Sequence, residues 1–599
     1  MNPTSDYTSL ELPSPFSLYI AGDEWSWDEG TELFDKWEET HLNDSTTGML
    51  EEFVTTQIPD KGKATRIESG VRTGSFNQIF RFTFEDETDV ILRMPKPGHS
   101  VVVLMEEKVR NEVAWMKCFK EKTSMRIAHI YSSSVELPKS EWPFGLPFIL
   151  MEFLKGKNLR DFLVEDLPDA GESEESDALR TAAYEDVARF LIELRSISLD
   201  QIGSITQHAS NEWVVTERPL TMDMETAMCD IPNYPVERWS EGPFTCCSDY
   251  VKYCLSRHPY LLKAIRNINM PHEKNEGELK QKAMGIENID FKEVANTARA
   301  RFLSCPAFAK MATELYNPND EYENGPFLPS NADLDPRNML VDPDTGKVIG
   351  MVDLEFNNAM PARYSHDPPQ WLVMALPKKA LEMGFFEWWK GRYEVALDHF
   401  LNAMKTVEER MENKLDCAQK PLSELMRESY DSGAFWINMG LENIALVDTI
   451  YWEIFYRSCP RHRIYRAPYS DDEVEREMAE YVKFSEGQIV DYERTREEKK
   501  QTEAEAEAKS EESEEESEKE SEKQEDEKQE DEKQESEKQE DEKQEDEKQE
   551  DEKQEDEKQE DEKQEDEKQE DEKQEDEKQE DEKHGEEITG HEEEIMIEV

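Results

Sequence analysis

Positive charge is what this sequence has least of for its size: 71 lysines and arginines stand against 140 aspartates and glutamates, a formal net charge of −69. A field of that sign repels nucleic acid phosphates and anionic membrane surfaces, so neither DNA, RNA nor a membrane is an expected partner. The eight cysteines contain no C-x-x-C pair and no zinc-like spacing with the scattered histidines. That excludes a disulfide framework or structural zinc site and reads as free thiols in a reducing compartment. No apolar run reaches the ~18 residues a membrane helix needs. The opening stretch "MNPTSDYTSLELPSPFSLYIAGDEWSWDEG" has no basic n-region or continuous apolar h-region of a secretory leader. The expectation is a cytoplasmic chain, with the nucleus also open.

The last hundred residues lack aliphatic side chains almost entirely. About −37 of the charge falls on residues 501–599 and about −32 on the rest. A segment so polar cannot bury enough apolar surface to offset the entropy of ordering it, so residues 491–599 are expected to be disordered. Twelve five-residue units of the type KQEDE, one reading KQESE, run from Lys523 to Glu582. A period of five matches neither 3.5 nor 3.6 and builds no coiled-coil seam. The tail is either an electrostatic arm for basic proteins or a solvated, expanded repeat.

What remains divides into an extension (1–60), a sheet-rich part (61–150) and a helical part (151–490). Residues 62–95 alternate in polarity around the acidic turn "EDETD", as a small antiparallel sheet does. A helix follows at "KVRNEVAWMKCFKEK", with Val109, Val113 and Met116 on one face, and "LPFILMEFL" reads as another strand. The acidic segment 165–178 reads as a loop, with a helix opening after it. Beyond it the Trp- and Phe-rich stretches read as helical core.

The chemistry gathers in "NADLDPRNMLVDPDTGKVIGMVDLEF", residues 331–356. Two short apolar strands around "DPDTG" make a hairpin. Folded about Thr345 and Gly346 it lays Asn338 opposite Asp353, with Asp333 in the loop before. A carboxylate and an amide oxygen to hold magnesium, and a second carboxylate to orient a hydroxyl, are what phosphoryl transfer requires. Upstream, "GVRTGSFNQIF" offers Gly70 and Gly74 before a strand, as a loop whose N–H groups approach phosphates or as an ordinary hairpin turn. "VILRMP" supplies Arg93, and Glu112 follows on the helix; they are either a cation and its carboxylate poised over a nucleotide or two unrelated surface groups.

In this order, "GSFNQIFRF", "VILRMPKPG", "VRNEVAWMK", "LPFILMEFLKGKNL", "DLDPRNMLVDPDTGKVIGMVDLEF" and "HDPPQWL" resemble the aminoglycoside phosphotransferase-like family, in particular its fungal branch. The resemblance covers roughly residues 65–460 and implies an α+β, two-lobed, protein-kinase-like fold: an antiparallel-sheet N-lobe and a mostly helical C-lobe. It further implies Asp333 as catalytic base and Asn338 and Asp353 as Mg2+ ligands. For ATP it implies Gly74 and Ser75, Arg93 with Glu112, and the hinge residues Glu152 and Leu154; Glu355 matches a further acidic position that touches a second metal or its waters. Where the family usually has H-x-D, this chain has Asn331, Ala332, Asp333. Asp353 is followed by Leu354 and Glu355 rather than Phe-Gly, and no A-P-E-like segment follows. Both point to a small hydroxyl-bearing acceptor rather than a protein. The expected function is an ATP- and Mg2+-dependent small-molecule kinase, the alternative a catalytically weak scaffold of the same fold whose acidic tail binds basic proteins.

Overall fold

The computed structural model describes residues 24–502 apart from 42–43, 68–73, 139–141, 143–144, 168–172, 232–233, 271, 276–277, 282–288, 412–419 and 458–471, together with 504–505 and 508–509. Gly70 and the KQEDE repeats lie outside the described residues. The chain forms two compact units, 1–496 and 497–599. Of the second, residues 497–502, 504–505 and 508–509 are described, all helical.

Two helices, α1 (Glu24–His41) and α2 (Asp44–Gln57), precede a five-stranded antiparallel sheet of order β1-β2-β3-β5-β4. Its strands are β1 (Thr65–Ile67), β2 (Asn77–Thr83), β3 (Asp89–Pro95), β4 (Ile130–Ser133) and β5 (Ile149–Glu152), with helix α3 (Met105–Lys122) between β3 and β4. The period of two sorts β3 cleanly. Val90, Leu92 and Met94 point to one face, where they pack with Phe80, Phe82 and, from α2, Leu50, Phe53 and Val54. Ile91 and Arg93 alternate with them; Ile91 packs against the core that holds Val109, Val113 and Met116 of α3, and Arg93 reaches Glu112 of that helix. Thus α2, which lies in the stretch read from sequence as an extension, covers one side of the sheet.

The chain continues through β6 (Lys157–Asn158), α4 (Glu174–Leu194), the hairpin β7 (Ser204–Gln207) and β8 (Trp213–Glu217), α5 (Met222–Asp230), α6 (Cys247–Ala264) and α7 (Phe291–Leu315). Next come β9 (Phe327–Asn331), β10 (Met339–Val341), β11 (Val348–Met351) and β12 (Asn357–Pro361), then α8 (Phe386–Met411), α9 (Leu422–Ser432) and α10 (Ala434–Glu442). β9 pairs with β12, and β10 lies between β11 and β6. The aromatic stretches are core: Trp389, Tyr393 and Phe400 of α8 are wholly buried, whereas Trp388 is exposed.

Two boundaries differ from the sequence reading. Part of the acidic segment 165–178 is helix rather than loop, because Glu174, Glu175 and Asp177 occupy the first turn of α4, where the helix dipole favours carboxylates, behind the cap residue Ser173. The tail also begins later than residue 491. Within the first unit, residues 472–496 are helical, and Ile489 and Tyr492 there are buried with Met270 and Val294. Apolar residues at i and i+3 anchor that turn before the charge takes over.

Candidate active site

The hairpin turns where the sequence placed it. Gly346, at φ 66, donates its N–H to Asp342 O at 2.9 Å and closes the loop between β10 and β11. The register is one step off the expected one: Met339 pairs with Met351, Leu340 with Gly350 and, after a shift, Val341 with Val348. Asn338 therefore faces Val352, whose N–H it accepts at 2.9 Å, and not Asp353. The irregularity between Leu340 and Val341 absorbs the difference, as a bulge does. Asp353 lies two residues beyond the end of β11, at φ 61. A non-glycine residue in the left-handed region costs about 1–3 kcal/mol, and such strain gathers where a side chain must be aimed.

Asp333 and Asn338 are in contact: the Asn338 amide donates to Asp333 O at 3.2 Å and to Oδ2 at 3.3 Å. That leaves the Asn338 Oδ1 as a free-facing acceptor type for a hard cation. Asn331, where the family usually has histidine, accepts the Asp333 N–H on its Oδ1 at 2.8 Å and so caps the loop as an Asx turn. The Asp333 carboxyl is pushed up to about 7, first by burial and then by the negative charges of Asp353, Asp335 and Glu355.

Arg93 holds the other side. Its guanidinium donates to Glu112 of α3, to Asp353 Oδ1 at 2.7 Å, and lies 3.1 Å from Glu355 Oε2. Burial alone would lower its pKa, but Asp353, Glu112 and Glu355 hold it well above the ordinary range. Glu355 is buried rather than turned towards the open side of the site: it takes Lys108 Nζ at 2.8 Å and both hydrogen-bonding reaches of the Asn77 amide, at 2.9 and 3.1 Å. Burial would raise the Glu355 carboxyl; Lys108 and Arg93 together keep it below the usual carboxylate range. Lys108 in turn binds Glu225 of α5 at 2.7 Å.

The structure thus brings together Arg93, Glu112, Asp333, Asn338 and Asp353. Gly74 and Ser75 sit in the turn before β2, where Gly74 donates its N–H to Asn77 O at 3.1 Å rather than reaching the acids. Glu152, at the end of β5, spends its N–H on His129 O at 2.8 Å and its carboxylate on Arg126. Leu154 is buried, with its side chain against Gly350 of the hairpin. Lys108, Asn77 and Glu225 are the residues sequence reasoning missed. Lys108 had a signal, since it stands four before Glu112 and so on the same helix face. Glu225 had none, for it comes from a distant helix.

Among the described residues no group of three His, Cys, Asp or Glu side chains is arranged as a self-sufficient metal cage. Among the described residues, the ion pairs of Glu112, Glu225, Asp353 and Glu355 run to Arg93 and Lys108, four acids to two cations. A surplus of buried negative charge with one carboxylate, Asp353, partly open to solvent fits a Mg2+ that takes its remaining ligands from phosphate and water. A small cavity is lined by Thr221, Tyr250, Ser330, Ala332, Phe356 and Glu442, among others; Ala332 precedes Asp333 in the chain, but Asp333 itself does not line it.

The topology is decisive: a five-stranded antiparallel sheet with α3 inserted after β3, an Arg93–Glu112 pair joining them, and a loop-hairpin carrying Asp333, Asn338 and Asp353 in that order. That arrangement resembles a kinase-like fold. No protein-family model matches the chain. Curated relatives are the "Altered inheritance of mitochondria protein 9, mitochondrial" of Debaryomyces hansenii, 23% identical over 330 residues (50% of this chain, 48% of that one), and of Clavispora lusitaniae, 22% identical over 340 residues (53% and 52%). The chain spans about half the length of the curated relatives it matches. Solved structures that it resembles include a macrolide 2'-phosphotransferase type I (11% identity, 70% of this chain and 97% of that one, TM-score 0.31). A second is an amicoumacin kinase in complex with AMP-PNP, Ca2+ and Ami (12% identity, 76% and 96%, TM-score 0.31).

The relatives' names overturn the cytoplasmic expectation, for they are mitochondrial proteins by description. The physical reason is that a missing apolar h-region excludes only a secretory leader; mitochondrial transit segments are amphipathic and have none. No helix among the described residues is long and apolar enough to cross a membrane.

Proposed function

We propose that this chain is a mitochondrial ATP- and Mg2+-dependent phosphotransferase that moves a terminal phosphate to a hydroxyl of a small molecule. The observation that carries the reading is Asp353, held at φ 61 with Oδ1 on Arg93, beside the contacting pair Asp333 and Asn338. In this reading the sheet and the helical part are two lobes with the nucleotide between them. Asp353 and Asn338 would hold Mg2+, which supplies charge neutralisation at the transferring phosphoryl group. Arg93 fixes the orientation of Asp353 and offsets phosphate charge. Asp333 aligns the acceptor hydroxyl and takes its proton; a carboxyl pushed up to about 7 accepts that proton more readily than one at 3.8. The turn at Gly74 and Ser75 and the main chain from Glu152 to Leu154 would meet the phosphates and the adenine.

The acceptor would sit against the Asp333 carboxyl, and the protein would act chiefly by positioning and electrostatics. A scaffold of the same fold with weak catalysis is the second reading, and Asn331 favours it; against it, the Asn331 side chain still holds the Asp333 N–H. In the scaffold reading the acidic tail recruits basic proteins, and deletion of residues 501–599 would abolish that binding. ADP release over a panel of hydroxylated metabolites, with wild type beside Asp333→Asn and Asp353→Ala, separates the two. Turnover lost by at least 10²-fold in both variants supports the enzyme. Mg2+-dependent ATP binding without turnover in wild type supports the scaffold.

A further inference from the structure

Lys108 and Glu225 belong to no step described so far, yet they are buried at the back of the site. Lys108 Nζ sits between Glu225 Oε2 at 2.7 Å and Glu355 Oε2 at 2.8 Å, with Ser100 Oγ at 3.5 Å. The Phe76 and Phe356 rings flank it at 5.3 and 5.1 Å, so its charge is enclosed by two carboxylates and two π faces. The three charged side chains are 3–6% exposed, which is too little for water to stand in for a missing partner. They come from three places: Lys108 from α3, Glu225 from α5 and Glu355 from the segment after β11. The chain of contacts runs Glu225, Lys108, Glu355, Arg93, Asp353 without a break.

Arg93 NH2 is shared by two acids, Asp353 at 2.7 Å and Glu355 at 3.1 Å. Whichever carboxylate is less satisfied elsewhere will draw it. With Lys108 and Asn77 on Glu355, the guanidinium lies closer to Asp353. We infer that Lys108, moored by Glu225, is a positioning residue that neutralises Glu355 and so keeps Arg93 committed to Asp353. The consequence for Glu355 is specific: it is an internal counter-charge and not a ligand of a second metal. The inference rests on the phosphotransferase reading for its purpose; its measurement needs the site to bind nucleotide with Mg2+ but not to transfer phosphate.

The test reads Mg2+ rather than turnover. Binding of a non-hydrolysable ATP analogue to the full chain is followed as Mg2+ is titrated, for wild type, Lys108→Met, Lys108→Arg and Glu225→Gln, with circular dichroism to confirm folding. Lys108→Met is expected to raise the Mg2+ half-saturation at least tenfold, Lys108→Arg to restore most of it, and Glu225→Gln to raise it two- to fivefold. A folded Lys108→Met with unchanged half-saturation overturns the inference. If Lys108→Met does not fold, Glu225→Gln decides, since it keeps the Lys108–Glu355 pair, and no change there overturns it equally. Analogue binding that responds as expected while wild type never transfers phosphate sinks the enzyme reading and leaves the positioning role standing. Wild type that binds no nucleotide takes both down.

Discussion

Asp367 offers a sharp test of how burial sets charge in this protein, independent of any activity. It lies in "HDPPQWL" just after the Ala362–His366 turn; its Oδ1 accepts the Ser429 hydroxyl and its Oδ2 the Asn438 amide at 2.9 Å. No cation pairs with it among its named partners, and burial pushes its carboxyl up to about 7 although both hydrogen bonds pull downward. The unfolded chain releases the same proton near 3.9. Below about pH 4 both states carry the proton and the group has no effect on stability. Between about pH 4 and pH 7 the unfolded state has lost it and the folded state keeps it, so stability falls as pH rises, and above about 7 the loss is complete. Three pH units at 1.36 kcal/mol each give about 4 kcal/mol, and because the residue keeps some exposure about 2–4 kcal/mol is the working range. Asp367→Asn removes the titration and keeps an oxygen for one of the two donors, at a cost of about 1 kcal/mol for the other bond. Urea midpoints for wild type and variant at pH 4.5, 6 and 8 read the difference directly. The variant should be slightly weaker than wild type at pH 4.5 and more stable by about 1–3 kcal/mol at pH 8. Parallel curves would show that this carboxyl does not sit protonated in the fold.

The remaining expectations concern the core and the loop. Asp448, fully buried, takes Arg301 at 2.8 Å, His258 at 3.2 Å and the Ser304 hydroxyl, so Asp448→Ala leaves buried cations without this carboxylate and should cost about 3–5 kcal/mol in chemical denaturation. A loss below about 1 kcal/mol would mean that water reaches the cluster. At Gly346 a Cβ would stand 2.5 Å from Leu179 O and φ is 66, so Gly346→Ala should lower stability by about 1–3 kcal/mol, visible as a lower melting temperature. Asn331→Ala removes the cap on the Asp333 N–H; kcat should fall about tenfold with KM for ATP little changed, and an unchanged kcat would show that the loop holds itself. Arg93→Met strips three carboxylates of a shared cation and should abolish Mg2+-dependent nucleotide binding, whereas Arg93→Lys, unable to fork between Glu112 and Asp353, should recover only part.

Some of this molecule could be read directly along the chain. The alternation of β2 and β3, the apolar face of α3 and the turn at Gly346 follow from short-range sterics and periodicity, and they emerged as expected. The elements that carry Arg93, Glu112, Asp333, Asn338 and Asp353, a strand, a helix and a loop-hairpin, were likewise recognisable from local pattern. The hairpin register was not, since the irregularity between Leu340 and Val341 depends on how β6 pairs across β10. Neither was the start of α4, where carboxylates that look like loop are the first turn of a helix.

The sequence alone determined the surplus of negative charge, the polar repeat tail and the local elements that carry the acids, because composition and periods of 2 and 3.6 act over a few residues. Tertiary structure decided which acid receives which cation. Glu225 meets Lys108 across 117 positions and Asp353 meets Arg93 across 260, pairings that no local pattern encodes and that exist only once packing has removed the water between them.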